Sequence, residues 1–160
     1  VPHNNWFLYL SWLPFWYADA VDAYKKAVNL NKETNYYGEL LQALYLRDGE
    51  IKSEYAEYLS KAVIPEEDRK TPLDYIKLAR YCRVIGDYAD AEKYLKQAVS
   101  MKVCSSCGYH GCEEGYYELG ILYEVMGERK MAIEAYEKAI EAHGHCYVYE
   151  KRLQDLLENS

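Results

Sequence analysis

Four stretches of this chain repeat one arrangement of side chains: Ala20, Tyr24 and Ala27; Tyr55, Leu59 and Ala62; Ala91, Leu95 and Ala98; Ala132, Tyr136 and Ala139. Each set falls at offsets 0, 4 and 7, positions that share one face of an α-helix. Small residues flank a large one, with Tyr55 the bulky exception, so a second helix can approach closely. The last three stretches each follow a turn, at Asp48-Gly49, Gly86-Asp87 and Met126-Gly127, where glycine can end a helix in the left-handed conformation. Such a chain must stack its helix pairs, because one pair cannot shelter its own apolar stripe.

A second pattern precedes those turns. Tyr75, Leu78, Ala79 and Cys82 match Tyr116, Leu119, Gly120 and Tyr123 at offsets 0, 3, 4 and 7. Ala79 and Gly120 are small where two helices of a pair should cross. Glycine costs about 1 kcal/mol in an exposed helix, and this register gives Gly120 a packing reason to be there. Gly38, Leu41, Gln42 and Tyr45 form a weaker copy. The last alanines of successive units lie 35, 36 and 41 residues apart, so the final spacing holds an insertion.

These patterns predict helices over about 4–13, 15–30, 34–47, 50–63, 72–84, 87–103, 113–126, 128–142 and 147–157. Pro14 should open the second of them. Thr71-Pro72-Leu73-Asp74 carries a capping threonine, a first-turn proline and an acid for the free N–H groups. Residues 65–70 read as a polar linker. The last segment, with Tyr147, Leu153, Leu156 and Leu157 as its apolar side and charged residues outside, suits a terminal cap. The expected fold is all-α: a right-handed superhelical solenoid of antiparallel helix pairs with a C-terminal capping helix. It forms a single domain over 1–160, with units at about 1–31, 34–63, 71–103 and 113–143.

The whole resembles the tetratricopeptide repeat (TPR) family, whose first helix carries an aromatic, Leu-Gly and Tyr, and whose second carries Ala, Phe or Tyr, and Ala. Residues 113–139 hold nearly the complete pattern: Tyr116, Leu119, Gly120, Tyr123, Ala132, Tyr136 and Ala139. Residues 72–98 follow it, with Cys82 where tyrosine is usual. Residues 35–62 match after one extra residue, and the N-terminal unit has an abnormally aromatic first helix. Sel1-like repeats, which are also longer, rank second because no Gly-rich turn of their kind is present.

The resemblance implies a protein–protein interaction scaffold or adaptor that binds a peptide or helix in the concave groove of its first helices. The residues projected onto that groove are Tyr36, Glu39, Ala43, Leu46, Ile76, Arg80, Arg83, Tyr117, Ile121 and Glu124. Arg80 and Arg83 either hold a ligand carboxylate or are ordinary solvated arginines paired with nearby glutamates. The Lys/Asn clamp of some family members is not recognisable, since Arg80 stands at a customary Asn place and Ile76 at a basic one.

The insertion contains Cys104, Cys107, His110 and Cys112, and a second cluster holds His143, His145 and Cys146. Cys104 and His145 are one repeat spacing apart, which places them at matching ends of stacked second helices about 10 Å apart. Cys104 and Cys107, one of His110 or Cys112, and one of His145 or Cys146 would complete a tetrahedral structural zinc site. Disulfides are the rival and would leave at least one of the five cysteines unpaired; free thiols are the third reading. Zinc or free thiols fit a cytoplasmic protein, and disulfides a secreted or luminal one.

The chain has a formal net charge of -7, which repels nucleic acid and anionic lipid at long range. No Lys/Arg run offsets it, so the expected partner is protein or peptide and not nucleic acid. The apolar stretch 6–18 is shorter than the roughly 20 residues that span a bilayer, and Pro14 interrupts it. Trp6, Phe7, Trp12, Phe15 and Trp16 exceed what one edge helix needs, and they suggest an interface with another subunit or a second copy. That gives the alternative of a structural subunit assembling through this segment. The start at Val1 rather than Met suggests a processed or excised chain, so compartment is not read from a missing leader. No phosphate loop or nucleophile elbow is present. Glu113-Glu114 and Glu66-Glu67-Asp68 read as a helix start and a solvated linker. The expectation is a non-enzyme, against the alternative of a metal- or thiol-dependent enzyme using the Cys/His cluster.

Overall fold

A computed structural model of the protein describes residues 13–30, 36–50, 52–101, 113–143 and 146–158. Every regular element among these residues is a helix, with no strand among them. The chain divides into two compact units, Val1–Val63 and Ile64–Ser160, and the division falls at the start of the polar linker.

In the first unit α1 (Leu13–Leu30) packs on α2 (Tyr37–Asp48), and α2 packs on α3 (Ala56–Ala62). Pro14 sits in the first turn of α1, where its missing N–H costs nothing. The buried stripe of α1 is Val21 and Val28, while Ala20, Tyr24 and Ala27 are half-buried. The N-terminal copy of the repeat is therefore shifted by one residue from the sequence expectation. The core of α2 is Leu40, Leu41, Ala43 and Leu44.

The helix expected over 50–63 is shorter. A 3-10 turn over Ser53–Tyr55 leads into α3, because Tyr55 is tied back to the end of α2. Its hydroxyl donates to the Asp48 carboxylate and accepts from Arg47 Nη2 at 2.9 Å. Arg47 also grips Asp48 through Nε at 2.7 Å and Nη2 at 2.9 Å. Closing that loop uses up the residues the periodicity assigned to helix.

The second unit contains α4 (Pro72–Ile85), α5 (Tyr88–Ser100), α6 (Glu113–Met126), α7 (Arg129–His143) and α8 (Tyr147–Glu158). The hairpins α4–α5 and α6–α7 stack through α5 on α6 and α4 on α6, and α8 packs on α7. Thr71 caps α4 reciprocally: its Oγ1 accepts from Asp74 N at 3.3 Å, and Thr71 N donates to Asp74 Oδ2 at 2.7 Å. Asp87 caps α5 by accepting from Asp90 N at 3.1 Å. Helix α5 stops at Ser100, short of the expected 103, as Met101 turns extended. Gly86 and Gly127 close the two hairpins at φ 83° and 79°, a region that strains residues with a side chain.

The repeated residues meet in one core. Ala91, Leu95 and Ala98 of α5, and Ala132, Tyr136 and Ala139 of α7, are at most 1% exposed. Ala91, Leu95, Ala98, Ala132 and Tyr136 pack with Ala79 and Cys82 of α4 and with Leu119, Leu122 and Tyr123 of α6. Burying each large member contributes about 1.5–3 kcal/mol. Gly120 lies under the Tyr136 ring, and Gly115 lies against Val99 of α5. Tyr123 adds a polar tie by donating to Glu92 Oε1 at 2.7 Å.

Helix α8 forms the expected terminal element with a different inner face. Tyr149, Leu153 and Leu156 turn inward, whereas Tyr147 is 76% exposed and Leu157 50% exposed. Arg129 Nη2 donates to the Leu156 carbonyl at 2.8 Å and so caps the C-terminus of α8.

Candidate functional site

The first helices α4 and α6 lie side by side in the second unit, and the residues projected onto a binding groove sit on them. Ile76 is not one of the lining residues: it is 0% exposed and belongs to the core. Its register on α4 points it at α6, a neighbour that a single-helix projection leaves out. Arg80 and Arg83 are half-buried and directed at α6. Arg80 Nε donates to Glu118 Oε1 at 2.8 Å, Arg83 Nη1 donates to Glu118 Oε2 at 2.6 Å, and Arg80 Nη2 reaches Glu114. Two cations and two carboxylates neutralise one another. Arg80 and Arg83 therefore form an ion cluster with Glu114 and Glu118, paired as in the second alternative but largely buried rather than solvated.

Glu118 is the centre of that cluster and is 3% exposed. Burial by itself would raise its pKa. Arg83 and Arg80 outweigh burial and hold the carboxyl below its ordinary value. An unpaired charge there would be strongly unfavourable, so the cluster fixes how α4 sits on α6.

The remaining α6 residues engage α8. Tyr117 stacks on Tyr149 with centroids 4.7 Å apart and lies 5.6 Å from Tyr136 at a tilt of 44°. Burial chiefly raises the Tyr117 phenol; Arg152 opposes the shift, and Glu118, Glu124 and Cys146 add to it. Glu124 accepts from Arg152 Nε at 2.8 Å and from the Tyr136 hydroxyl. Ile121 remains half-buried beside this network. The face of α6 is thus apolar at Tyr117 and Ile121, with its charges matched on both sides.

In the first unit, Tyr36 precedes α2 and is half-buried, as is Glu39. Ala43 is buried in the core, a correction to its place in the groove, because it shares the inward face with Leu40 and Leu44. Leu46 is 45% exposed.

Trp6, Phe7, Trp12, Cys104, Cys107, His110, Cys112 and His145 lie outside the described residues, as do the side chains of Phe15 and Trp16. Cys146 is described and is half-buried just before α8. Among the described residues no group of three metal-ligating side chains converges, and no helix is long and apolar enough to cross a membrane.

Sequence reasoning missed Glu118, Tyr149 and Arg152. The signal for Glu118 was its place next to Leu119 in the buried register of α6. Arg80 and Arg83 on the preceding first helix were its complement.

No curated protein matches the chain. Among the solved structures similar to it, two align over 89% of its length. "Crystal structure of MamA" aligns over 84% of that chain, with 25% identity and a TM-score of 0.47. "Crystal structure of MamA protein" aligns over 78%, with 23% identity and a TM-score of 0.42. Residues 113–144 match the family model of the tetratricopeptide repeat. These residues are the α6–α7 hairpin, whose Gly120–Tyr136 crossing and buried alanines the repeat requires. The α6–α7 hairpin is thus similar to a tetratricopeptide repeat, and the other elements among the described residues are helical as well.

Proposed function

We propose that this protein is a non-catalytic scaffold that binds a peptide or helix of a protein partner through apolar contacts on its first helices. The repeat match at residues 113–144 supports protein binding in general. The observation that carries the finer reading is the charge balance of the α6 face. Arg80, Arg83, Glu114 and Glu118 satisfy one another, and Glu124 is matched by Arg152. What this face offers a ligand is the half-buried Ile121, beside a Tyr117 that is already stacked on Tyr149. A ligand with apolar anchors fits such a face better than one led by a carboxylate, because a third carboxylate at Arg80 would meet Glu114 and Glu118.

Selection of a displayed peptide library on the intact chain tests this. Binders are expected to carry apolar or aromatic anchors. Ile121→Asp, with helix content verified by circular dichroism, should weaken them tenfold or more, about 1.4 kcal/mol. Binders that ignore Ile121→Asp would place recognition elsewhere.

A further inference from the structure

Helix α8 repeats the register of the first helices. Tyr149, Leu153 and Leu156 stand at offsets 0, 4 and 7, as Tyr75, Ala79 and Cys82 do on α4 and Tyr116, Gly120 and Tyr123 on α6. In α6 the small residue at offset 4 receives Tyr136 of the paired second helix. In α8 that place holds Leu153, and no second helix crosses it among the described residues. Helix α8 is therefore anchored on one side. None of its side chains is fully buried, whereas each of α4 to α7 buries at least three.

The joints between successive first helices differ accordingly. Between α4 and α6, Arg80 and Arg83 pair with a Glu118 that is almost wholly out of water. Parting them would strand a buried charge. Between α6 and α8 the joint is the Tyr117–Tyr149 stack and one ion pair, Arg152 on Glu124, with both ions half-buried. Water reaches both ions and can solvate them when they part. Arg129 adds an exposed tie to the Leu156 carbonyl. Within α8, Lys151 pairs with Asp155, and Gln154 Nε2 donates to Glu158 Oε1 at 2.6 Å. These i,i+4 contacts support the helix without help from the body. Helix α8 is thus held as a helical ligand is held in a groove: by an aromatic stack, one ion pair and two partly buried leucines, Leu153 and Leu156. Lifting it would free Tyr117 and Glu124 beside Ile121 on the same helix.

We propose that α8 is an exchangeable occupant of the α6–α7 surface, and that the partner is an amphipathic helix that takes its seat with an aromatic residue, an arginine and two leucines spaced as Tyr149, Arg152, Leu153 and Leu156. Use of the seat by a partner rests on the binding reading above; exchange of α8 does not. Local opening of α8 admits the incoming helix, and the apparent affinity falls with the fraction of time α8 is closed.

A synthetic peptide of residues 147–158 is the probe. It is titrated against the intact chain and against the intact chain carrying Tyr149→Ala and Leu153→Ala, with helix content verified by circular dichroism. The loosened chain should bind the peptide at least tenfold more tightly than the parent, because its own α8 competes less. A peptide carrying Arg152→Glu should bind the loosened chain at least tenfold more weakly, through repulsion from Glu124. In the parent, saturating peptide should quicken hydrogen exchange of the α8 amides and leave α4 and α5 unchanged, a readout that does not depend on the loosened chain folding. Equal binding to both chains, indifference to Arg152→Glu in the peptide, or unaltered α8 exchange in the parent would overturn the assignment. If library-selected binders lose affinity on Ile121→Asp while α8 exchanges as slowly with them as without them, the exchange of α8 fails and the binding reading stands. If the peptide takes the seat by these criteria while library binders ignore Ile121→Asp, the binding reading fails and the seat stands.

Discussion

The ring of Tyr136 occupies the space in which Gly120 would carry a side chain: a Cβ at Gly120 would stand 2.2 Å from Tyr136 Cε1 and 2.5 Å from Cδ1. Tyr136 is 0% exposed and its hydroxyl is held by Glu124, so the ring has no free direction in which to move. The crossing of α6 and α7 is therefore set by one absent side chain and one large one.

Gly120→Ala should destabilise the protein by about 2 kcal/mol, although alanine is the better helix former by about 1 kcal/mol. Urea denaturation measures it. Combining it with Tyr136→Leu should cost less than the sum of the two single changes, because both report one contact. A Gly120→Ala protein as stable as the parent would remove the packing reason given for this glycine.

Glu118→Ala should cost about 3–5 kcal/mol, since it leaves Arg80 and Arg83 buried without their main counter-charge. The same pair gives a pH dependence. Arg83 and Arg80 hold the folded-state pKa of Glu118 below its unfolded value. Its contribution is therefore complete above the ordinary glutamate range and is lost as pH falls through the lower folded value. Urea midpoints measured from neutral pH down to about pH 3 should decline less steeply for Glu118→Gln than for the parent.

Tyr55→Phe removes a hydroxyl shared by Asp48 and Arg47. A hydrogen bond to a charged group is worth about 1.5–3 kcal/mol. Hydrogen exchange in the last turn of α2 and in α3 should quicken by the corresponding amount, while α6 and α7 stay unchanged. The Asp48 carboxyl, held well below its usual range chiefly by the Arg47 hydrogen bonds, should titrate higher in an Arg47→Ala variant.

Cys82 is buried beneath α5, and burial, aided by Asp87 and Asp90, pushes its thiol up to about 12. At neutral pH it should resist alkylation until the protein is unfolded. Mass mapping with iodoacetamide, before and after urea, reads this directly. Rapid labelling of native Cys82 would place it outside the core.

Local pattern made some of this fold legible. Ala91-Leu95-Ala98 and Ala132-Tyr136-Ala139 declared the buried faces of α5 and α7, and Gly86 and Gly127 declared their hairpins. Thr71 and Asp74 declared the start of α4. What failed was whatever depends on a distant neighbour. Ile76 looked accessible because α6, its cover, lies some forty residues on. Arg80 and Arg83 kept two meanings until Glu118 was placed between them. In α1 the offsets 0, 4 and 7 fit Ala20 and Ala27, yet Val21 and Val28, one step round the helix, are the buried pair. Periodicity names a stripe and leaves the choice between adjacent stripes to packing.

Native-state hydrogen exchange on the intact chain tests the central claim, that α6 and α7 form one packed repeat closed by Gly120 and Tyr136. The amides of 119–123 and 135–139 should exchange slowest in the second unit, and Gly120→Ala should speed both stretches together and equally. If the two stretches respond separately, or already exchange as fast as α8, the repeat is not the cooperative unit described.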